Sequence, residues 1–479
     1  MGMEILKDLE EFSFKVHTEV SPAYYHDLLI YVYRKYIVPF YYRFANVRRW
    51  IINGRETLAF TLLGSDSWYV DVEITTGDPF EVRMRPYGYN FPPKVLNRIK
   101  EDLMIIFQMF EDEIRRTTLY FAWVPGKHLT GEKMLTRRKK ILSQIFTGNM
   151  LLLFVIFILF SYLVFAVVGP AYAPVVLVLS QFILVLFSDK IVMQMGDWPI
   201  TEDSPTVYVL QYHIPQEEFD FIRQNYSRER LLQIKKEIYE RTLALGRPID
   251  IQAVQEVFLK HGIIIKPENL LVKSINVYDI VKMVAGKFEM PIPKVRIANI
   301  IIPNAAATGP SPRFSLILIT TGLLIQLNEE EIAAVIGHEM SHVKGRDPLM
   351  LFMITSAEYL FRWYILLPFI MIFGFFYVLF ALSLIYFVAK FFEARADLEA
   401  ALILEKSHAL ADALRKIGYR RLWLEKTSGR VGSWLGLDPH PPLFFRIERL
   451  ESLSSTKIKH PLLQSIKDCI NGLLREIGL

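Results

Sequence analysis

The stretch Ile332–Gly345 (IAAVIGHEMSHVKG) decides how the chain folds and what it binds. Asn328 and the three glutamates that follow it predict the start of a helix, because a side-chain cap and an acidic first turn stabilise that end. On this helix His338 and His342 are four residues apart, so both imidazoles leave one face and can bind one Zn²⁺. Glu339 lies about 100° round the helix from His338, where its carboxylate can act as general base toward a water.

A catalytic zinc site needs a third protein ligand and one open position. Glu393, in the segment EARAD, can supply an oxygen ligand. Asp397 follows one helical turn later and can accept a hydrogen bond from the free ring N–H of a zinc-bound histidine. The alternative is a solvated helix face with charges paired at i,i+4. We expect one Zn²⁺ per chain, bound by His338, His342 and Glu393.

Two apolar regions lie on either side of the histidine helix. The first, 141–188, has no charged residue and is broken by Gly169-Pro170. Because a hydrocarbon core takes about 20 helical residues, it predicts two spans, about 150–168 and 172–188. The alternative is a pair of buried core helices.

The second apolar region, 348–392, must return the chain to the side of the membrane on which the histidines lie, because Glu393 binds the same metal. It therefore predicts two further spans with Pro368 at the turn. Glu358 and Arg362 make the third span the least regular of the four, since charges are costly in lipid. Basic residues at 137–140 and 344–346 flank the spans, whereas the loop 169–174 has none. The positive-inside rule then places both aqueous portions in the cytosol.

Composition agrees with a membrane protein that carries aqueous domains. The chain has 479 residues, of which 52% are hydrophobic and 22% charged, too apolar for an ordinary soluble protein and too charged for an all-membrane bundle. The net charge of +5 is a weak excess and predicts no nucleic-acid partner. The single cysteine, Cys469, excludes an intrachain disulfide and a Cys-based metal site. The first 15 residues lack the apolar run of a signal peptide.

Residues before 140 predict a separate α+β domain without a chemical motif. Asn53-Gly54 predicts a hairpin turn, further strand-like runs follow, and 92–116 reads as an amphipathic helix. Tyrosines alternate with basic residues over 24–43, a pattern that fits either a membrane interface or a core-facing helix followed by a loop. Beyond the first apolar region, the sequence predicts one long charged helix over 216–245 and a strand over 315–321.

The predicted organisation has five parts. They are an N-terminal α+β cytosolic domain at 1–140, a transmembrane hairpin at 141–190, the first part of the catalytic domain at 191–347, a second transmembrane hairpin at 348–392, and the second part of the catalytic domain at 393–479.

Five motifs occur in order. They are Asn304-Ala305-Ala306-Ala307-Thr308-Gly309, Thr320-Thr321-Gly322-Leu323-Leu324, His338-Glu339-x-x-His342, Glu393-x-x-x-Asp397, and His440-Pro441-Pro442 with Arg446. Over about residues 200–450 the chain resembles the HtpX-like and CAAX-prenyl-protease superfamily of integral-membrane zinc metallopeptidases. Ala306 stands where that family usually has Phe, which changes the shape of the pocket. The domain before residue 140 is not typical of HtpX chains.

The resemblance implies a mainly helical gluzincin-type domain with a small sheet, so the predicted fold class is an α+β membrane protein with four transmembrane helices and the extra N-terminal domain. It implies that Asn304 and Ala306 line the substrate strand beside the zinc. It also implies that His440 and Arg446 stabilise the developing oxyanion or fix a carboxylate near the metal. A Pro-rich turn and a surface cation are the alternatives.

The predicted function is a zinc-dependent endopeptidase, in a multi-pass protein of the cell membrane with a cytosolic active site. The resemblance implies damaged or misfolded membrane proteins as substrates. The substrate is expected to pair, extended, with an edge strand near Ser315–Thr320. The partners are thus a polypeptide and the lipid bilayer; the oligomeric state stays open. Two alternatives are a CAAX-type prenyl-protein protease, which needs a larger intramembrane chamber, and a catalytically latent membrane scaffold.

Overall fold

A computed structural model describes residues 11–64, 68–88, 91–92, 94–127, 150–427, 432, 434, 436, 438–453 and 458–477. The chain forms two compact units. Unit 1 combines Met1–Phe121 with Val209–Lys273, and unit 2 combines Ala122–Tyr208 with Ser274–Leu479.

The strands, in chain order, are β1 Phe12–Val16, β2 Phe44–Ile52, β3 Arg55–Leu63, β4 Tyr69–Thr75, β5 Phe80–Tyr87, β6 Thr118–Trp123, β7 Trp198–Ile200, β8 Thr206–His213, β9 Leu270–Asn276, β10 Lys294–Ala298, β11 Ala305–Thr308 and β12 Leu316–Thr320. The α-helices are α1 Tyr25–Val32, α2 Lys94–Arg116, α3 Met150–Val168, α4 Ala173–Leu186, α5 Ser188–Met193, α6 Gln216–Asn225, α7 Arg228–Arg241, α8 Ile251–Lys260, α9 Val277–Lys287, α10 Thr321–Gln326, α11 Glu329–Gly345, α12 Asp347–Tyr364, α13 Leu367–Leu404, α14 Ser407–Thr427, α15 Leu443–Glu451 and α16 Pro461–Ile477.

Unit 1 is built on an antiparallel five-stranded sheet in the order β1-β5-β4-β3-β2. Alternate residues of the central strands are buried, and α1 and α2 cover that face with apolar side chains. Asn53 and Gly54 form the β2–β3 turn with φ of 52° and 75°, as a two-residue hairpin requires. The predicted hairpin is therefore confirmed.

Residues 209–273 pack with the N-terminal residues, whereas the predicted boundaries place them in the catalytic domain. Strands β6, β8 and β9 form one sheet, Ser21 donates its hydroxyl to the Glu268 carbonyl, and the Tyr24 ring packs edge-on against His213. The long helix predicted over 216–245 is wrong. It breaks after Asn225, because the Ser227 hydroxyl accepts from the Arg230 N–H and starts a new helix.

Unit 2 contains a four-stranded sheet in the order β11-β12-β10-β7. Strand β12 pairs with β10 on one side and with β11 on the other, so it has no free edge. The predicted edge strand near Ser315–Thr320 is thus wrong, and the edge is Ala305–Thr308. This strand was missed because its alanine-rich sequence has no alternation of apolar and polar residues.

Helix α11 carries the histidines and begins as predicted. The Asn328 side chain accepts from the Glu331 N–H, and the Glu331 carboxylate accepts from the Asn328 N–H, which completes a capping box. Two glycines let this helix approach α13 closely. A Cβ at Gly337 would lie 2.5 Å from Leu404 Cδ1, and one at Gly345 would lie 2.0 Å from Arg395 Nη1.

Four apolar helices, α3, α4, α12 and α13, correspond to the predicted spans. Among the described residues, one helix, Leu367–Leu404, is long and apolar enough to cross a membrane; shorter apolar helices run over Val155–Val168 and Ala173–Leu186. The break between α12 and α13 falls at 365–366, and Pro368 lies in the first turn of α13, close to the predicted turn.

The mainly helical fold with small sheets is as predicted, and four membrane crossings stay a prediction. The start of the first hairpin, 141–149, and the basic residues at 137–140 lie outside the described residues.

Candidate metal centre

Three predicted ligands converge at one point in unit 2. The Nε2 atoms of His338 and His342 lie 3.1 Å apart. Glu393, on α13, places Oε2 3.5 Å from His338 Nε2 and Oε1 3.4 Å from His342 Nε2. One ligand atom from each of the three residues lies within 4.8 Å of the others. The HExxH helix and the long helix α13 thus bring two imidazoles and one carboxylate together.

A carboxylate stands behind each histidine. Asp397 Oδ1 lies 2.9 Å from His338 Nδ1, and Asp347 Oδ2 lies 2.7 Å from His342 Nδ1. These carboxylates favour a proton on each Nδ1, which leaves both Nε2 lone pairs directed at the shared point. Asp397 has the predicted place, whereas Asp347 was not predicted.

The donor set fits a divalent metal such as Zn²⁺. Two imidazole nitrogens 3.1 Å apart and a nearby carboxylate form a donor set of the kind that binds such a cation, and the buried Oε2 of Glu393 has no hydrogen-bond partner. Burial alone would raise the pKa of the Glu393 carboxyl, but His342 and His338 outweigh it and hold that pKa well below its usual range. Burial alone would lower the pKa of His338, but Asp397 and Glu393 raise it to about 10. The centre therefore favours positive charge.

Arg446 anchors the His338 side of the centre. It donates Nε and Nη2 to the two oxygens of Asp397, both at 2.7 Å, and it is 6% exposed. Burial alone would raise the pKa of Asp397, but this bidentate pair and His338 hold it far below its usual range. Nη2 also lies 3.8 Å from Glu393 Oε2. Of the two roles expected for Arg446, the geometry favours fixing a carboxylate next to the metal site.

Arg395 has the corresponding place on the His342 side. Its Nη2 donates to Asp347 Oδ2 at 2.7 Å and to the Ser341 carbonyl at 3.1 Å. Sequence reasoning missed both Asp347 and Arg395. A signal existed for each: Asp347 follows the end of the histidine helix by two residues, and Arg395 lies between Glu393 and Asp397.

His440 reaches the centre from a loop. Its Nε2 lies 3.6 Å from Glu393 Oε2, and its Nδ1 lies 2.9 Å from Asp438 Oδ1. Arg421 holds this loop, since it donates to the carbonyls of His440 and Pro441 and pairs with Asp438 at 2.8 Å. The His440 side chain is 43% exposed, so it combines proximity to the centre with access from solvent.

Edge strand β11 forms the other wall of the site. The Ala307 N–H donates to Glu339 Oε2 at 2.8 Å and therefore points away from β12. Because backbone direction alternates along a strand, Ala305 also turns its N–H and C=O outward, whereas the Asn304 carbonyl accepts from Thr320 N–H in β12. Asn304 and Ala306 lie on this strand region with exposed side chains, but the outward backbone groups belong to Ala305 and Ala307.

Comparison with known proteins agrees with this geometry. The model of peptidase family M48 matches residues 273–454. A protease HtpX homolog from Caldanaerobacter subterraneus is 30% identical over 213 residues, which cover 37% of this chain and 71% of that protein. One from Thermococcus kodakarensis is 32% identical over 217 residues, covering 37% and 73%. The chain belongs to the HtpX-like family of M48 peptidases.

The family assignment makes this HtpX-like chain a member of the metalloprotease class. A shorter match, to a protease HtpX homolog from Thermodesulfovibrio yellowstonii, is 48% identical over 73 residues and covers 15% of this chain and 26% of that protein. The family match includes the histidine helix, Glu393, Asp397 and Arg446, but leaves out residues before 273. Most of unit 1 therefore lies outside the part that the HtpX-like family explains.

Proposed function

We propose that the protein is a zinc-dependent endopeptidase held in the cell membrane, which cleaves damaged or misfolded membrane proteins at a cytosolic active site. The observation that carries this proposal is the convergence of His338, His342 and Glu393, with Glu339 adjacent to His338 on the same helix. No other group of three or more such side chains was found within the described residues.

His338, His342 and Glu393 would hold a Zn²⁺, which would supply polarisation of the scissile carbonyl and a lowered pKa for a water. Glu339 accepts the proton of the attacking water and delivers it to the leaving amine. His440, with Nε2 directed toward the centre, is the candidate donor for the developing oxyanion. Arg446 acts through Asp397 as a positioning residue.

The proposed substrate lies extended along β11. The outward N–H and C=O of Ala305 and the outward C=O of Ala307 offer hydrogen bonds to a polypeptide of any sequence, whereas the Ala307 N–H donates to Glu339. Such main-chain recognition suits an enzyme that acts on unfolded segments, because it needs an extended backbone and no particular side chain. Ala306, where the family usually has Phe, leaves more room beside the strand.

The proposed membrane attachment uses the four apolar helices as two hairpins. The Trp363 indole donates to the Pro170 carbonyl at 3.1 Å, and the Tyr364 hydroxyl donates to the Ala171 carbonyl at 2.6 Å. These bonds join the end of α12 to the loop between α3 and α4, so both hairpin turns lie together. This arrangement supports four crossings with the turns on the side opposite the active site.

The test compares the wild type with Glu339→Gln, purified in detergent and loaded with zinc. The expected result is one zinc in each, with cleavage of casein or of the chain itself in the wild type alone. Cleavage that persists in Glu339→Gln would overturn the proposal. Zinc in both with cleavage in neither would indicate the latent scaffold, and cleavage of a prenylated peptide alone would indicate the prenyl-protein protease.

A further inference from the structure

A segment of unit 1 combines exposed aromatic rings with unbalanced positive charge. The segment 33–43 has three basic residues, Arg34, Lys35 and Arg43, and no acidic one. Within it Phe40, Tyr41 and Tyr42 are 50%, 75% and 68% exposed. We call the exposed residues of 33–43 the aromatic–basic surface; they are Tyr33, Arg34, Lys35, Val38, Pro39, Phe40, Tyr41, Tyr42 and Arg43.

This exposure is a property of the folded unit. Val32 and Ile37 are buried in the core of unit 1, and Tyr36 packs its ring against Phe44 and Phe60. The backbone forms a π-turn over Tyr33–Ile37 and a 3₁₀-turn over Val38–Arg43, with a kink at the non-helical residue Phe40. The core thus fixes the segment and leaves the remaining rings in solvent.

The structure resolves the two interpretations of the tyrosine-rich sequence. Tyr24, Tyr25, Tyr31 and Tyr36 pack against the core, as a core-facing helix requires. Tyr33, Tyr41 and Tyr42 do not, and in the sequence Tyr33 precedes Arg34 and Tyr42 precedes Arg43. An aromatic ring with a polar tip beside a long cationic side chain is the composition of a membrane interface.

We propose that the aromatic–basic surface binds the anionic phospholipid headgroups of the membrane that holds the chain. The cations would contact headgroup phosphates, and the rings would enter the boundary between headgroups and acyl chains. This goes beyond peptidase activity and rests only on the proposed membrane attachment. That attachment also favours lipid over an acidic protein, because every copy of the surface belongs to a chain that is anchored in a bilayer.

The test uses the full chain in lipid nanodiscs with one fluorophore on an introduced cysteine. Cys469 is fully buried, so a thiol reagent labels Tyr42→Cys selectively. The matched control is Ser13→Cys, an exposed position on β1, at the opposite edge of the same sheet. Quenching by spin-labelled lipids reports contact with the bilayer, and retention of the chain in the disc reports its attachment.

In discs that contain phosphatidylglycerol we expect several-fold stronger quenching at position 42 than at position 13. Discs of phosphatidylcholine alone should lower the quenching at position 42, because they carry no net negative charge. Salt at 1 M should also lower it, because the Debye length falls from about 10 Å at 0.1 M to about 3 Å. Arg34→Gln and Arg43→Gln should each reduce the ratio of bilayer-bound to unbound unit 1 by about fivefold. Glu339→Gln should change nothing, so failure of the peptidase and failure of this proposal are separable.

Two results would overturn the proposal while the chain remains in the disc. One is equal quenching at positions 42 and 13 in phosphatidylglycerol discs. The other is protection of position 42 only after an acidic polypeptide such as polyglutamate is added, which would assign the surface to a protein partner.

Discussion

The two walls of the candidate metal centre are built in different ways. On the helix side, side chains fix one another: Arg446 holds Asp397, Asp397 faces His338, and Arg395 holds Asp347 behind His342. On the strand side, the functional groups are the backbone of Ala305 and Ala307. The geometry of the helix side therefore depends on which side chains are present. The geometry of the strand side depends on the position of the strand backbone, so small side chains suffice there.

The largest expected effect comes from breaking the helix side at Arg446. Arg446→Ala leaves the buried Asp397 carboxylate without its bidentate partner and should cost about 3–5 kcal/mol of stability. Arg395→Ala removes single bonds to Asp347 and Ser341 and should cost less. Thermal unfolding of both variants in one detergent measures the difference. Equal losses would contradict the view that the His338 side carries the stronger support.

The carboxylates behind the histidines should tune the affinity for zinc. Asp397→Asn and Asp347→Asn should each weaken zinc binding by about 10–100-fold, with Asp397→Asn at the upper end because it also removes the bidentate partner of Arg446. Competition with a chelator measures this. Unchanged affinity in both variants would mean that the carboxylates do not orient the imidazoles.

The pH dependence of zinc binding tests whether Asp397 supports His338. In the metal-free protein the pKa of His338 is raised to about 10, so below that pH zinc must displace a proton. Affinity should therefore rise with pH through the neutral range. In Asp397→Asn the imidazolium loses its main partner, and the slope should be shallower. The same slope in both proteins would contradict this assignment.

The strand side should respond to loss of backbone donors. Ala305→Pro removes one outward N–H, and an edge strand tolerates proline there. It should raise KM about 2–10-fold through one lost hydrogen bond. Ala307→Pro also frees the Glu339 carboxylate and should lower kcat as well. Steady-state kinetics on an unfolded polypeptide separate the effect on KM from the effect on kcat. If kcat fell in Ala305→Pro but not in Ala307→Pro, the register assigned to β11 would be contradicted.

The smallest effect is expected from a side chain on that strand. Ala306→Phe restores the usual residue of the family at an exposed position. It should alter cleavage preference and leave kcat on unfolded substrates within about threefold, since the backbone of Ala306 pairs with β12. A loss as large as that of Ala307→Pro would show that side chains control this wall too.

The same contrast explains what the sequence could predict. His338, Glu339, His342 and Glu393 follow from side-chain chemistry and helical spacing, and the structure brings the two histidines and Glu393 together. Asp347 and Arg395 escaped because a buried acid and its cation look like surface charge until packing is known. The edge strand was misplaced because alanines give no periodic signal. The helix over 216–245 was predicted as one because the role of Ser227 as the cap of a second helix was not recognised. The packing of 209–273 with the N-terminal part of unit 1 depends on strand pairing, which residue patterns do not encode.

The central claim is that His338, His342 and Glu393 hold one zinc, and zinc K-edge X-ray absorption on the purified full chain tests it most directly. The account predicts two imidazole nitrogens at about 2.0–2.1 Å and oxygen ligands at about 2.0–2.2 Å. It also predicts loss of stoichiometric zinc in Glu393→Gln. A shell with fewer than two imidazoles, or zinc retained unchanged in Glu393→Gln, would contradict it.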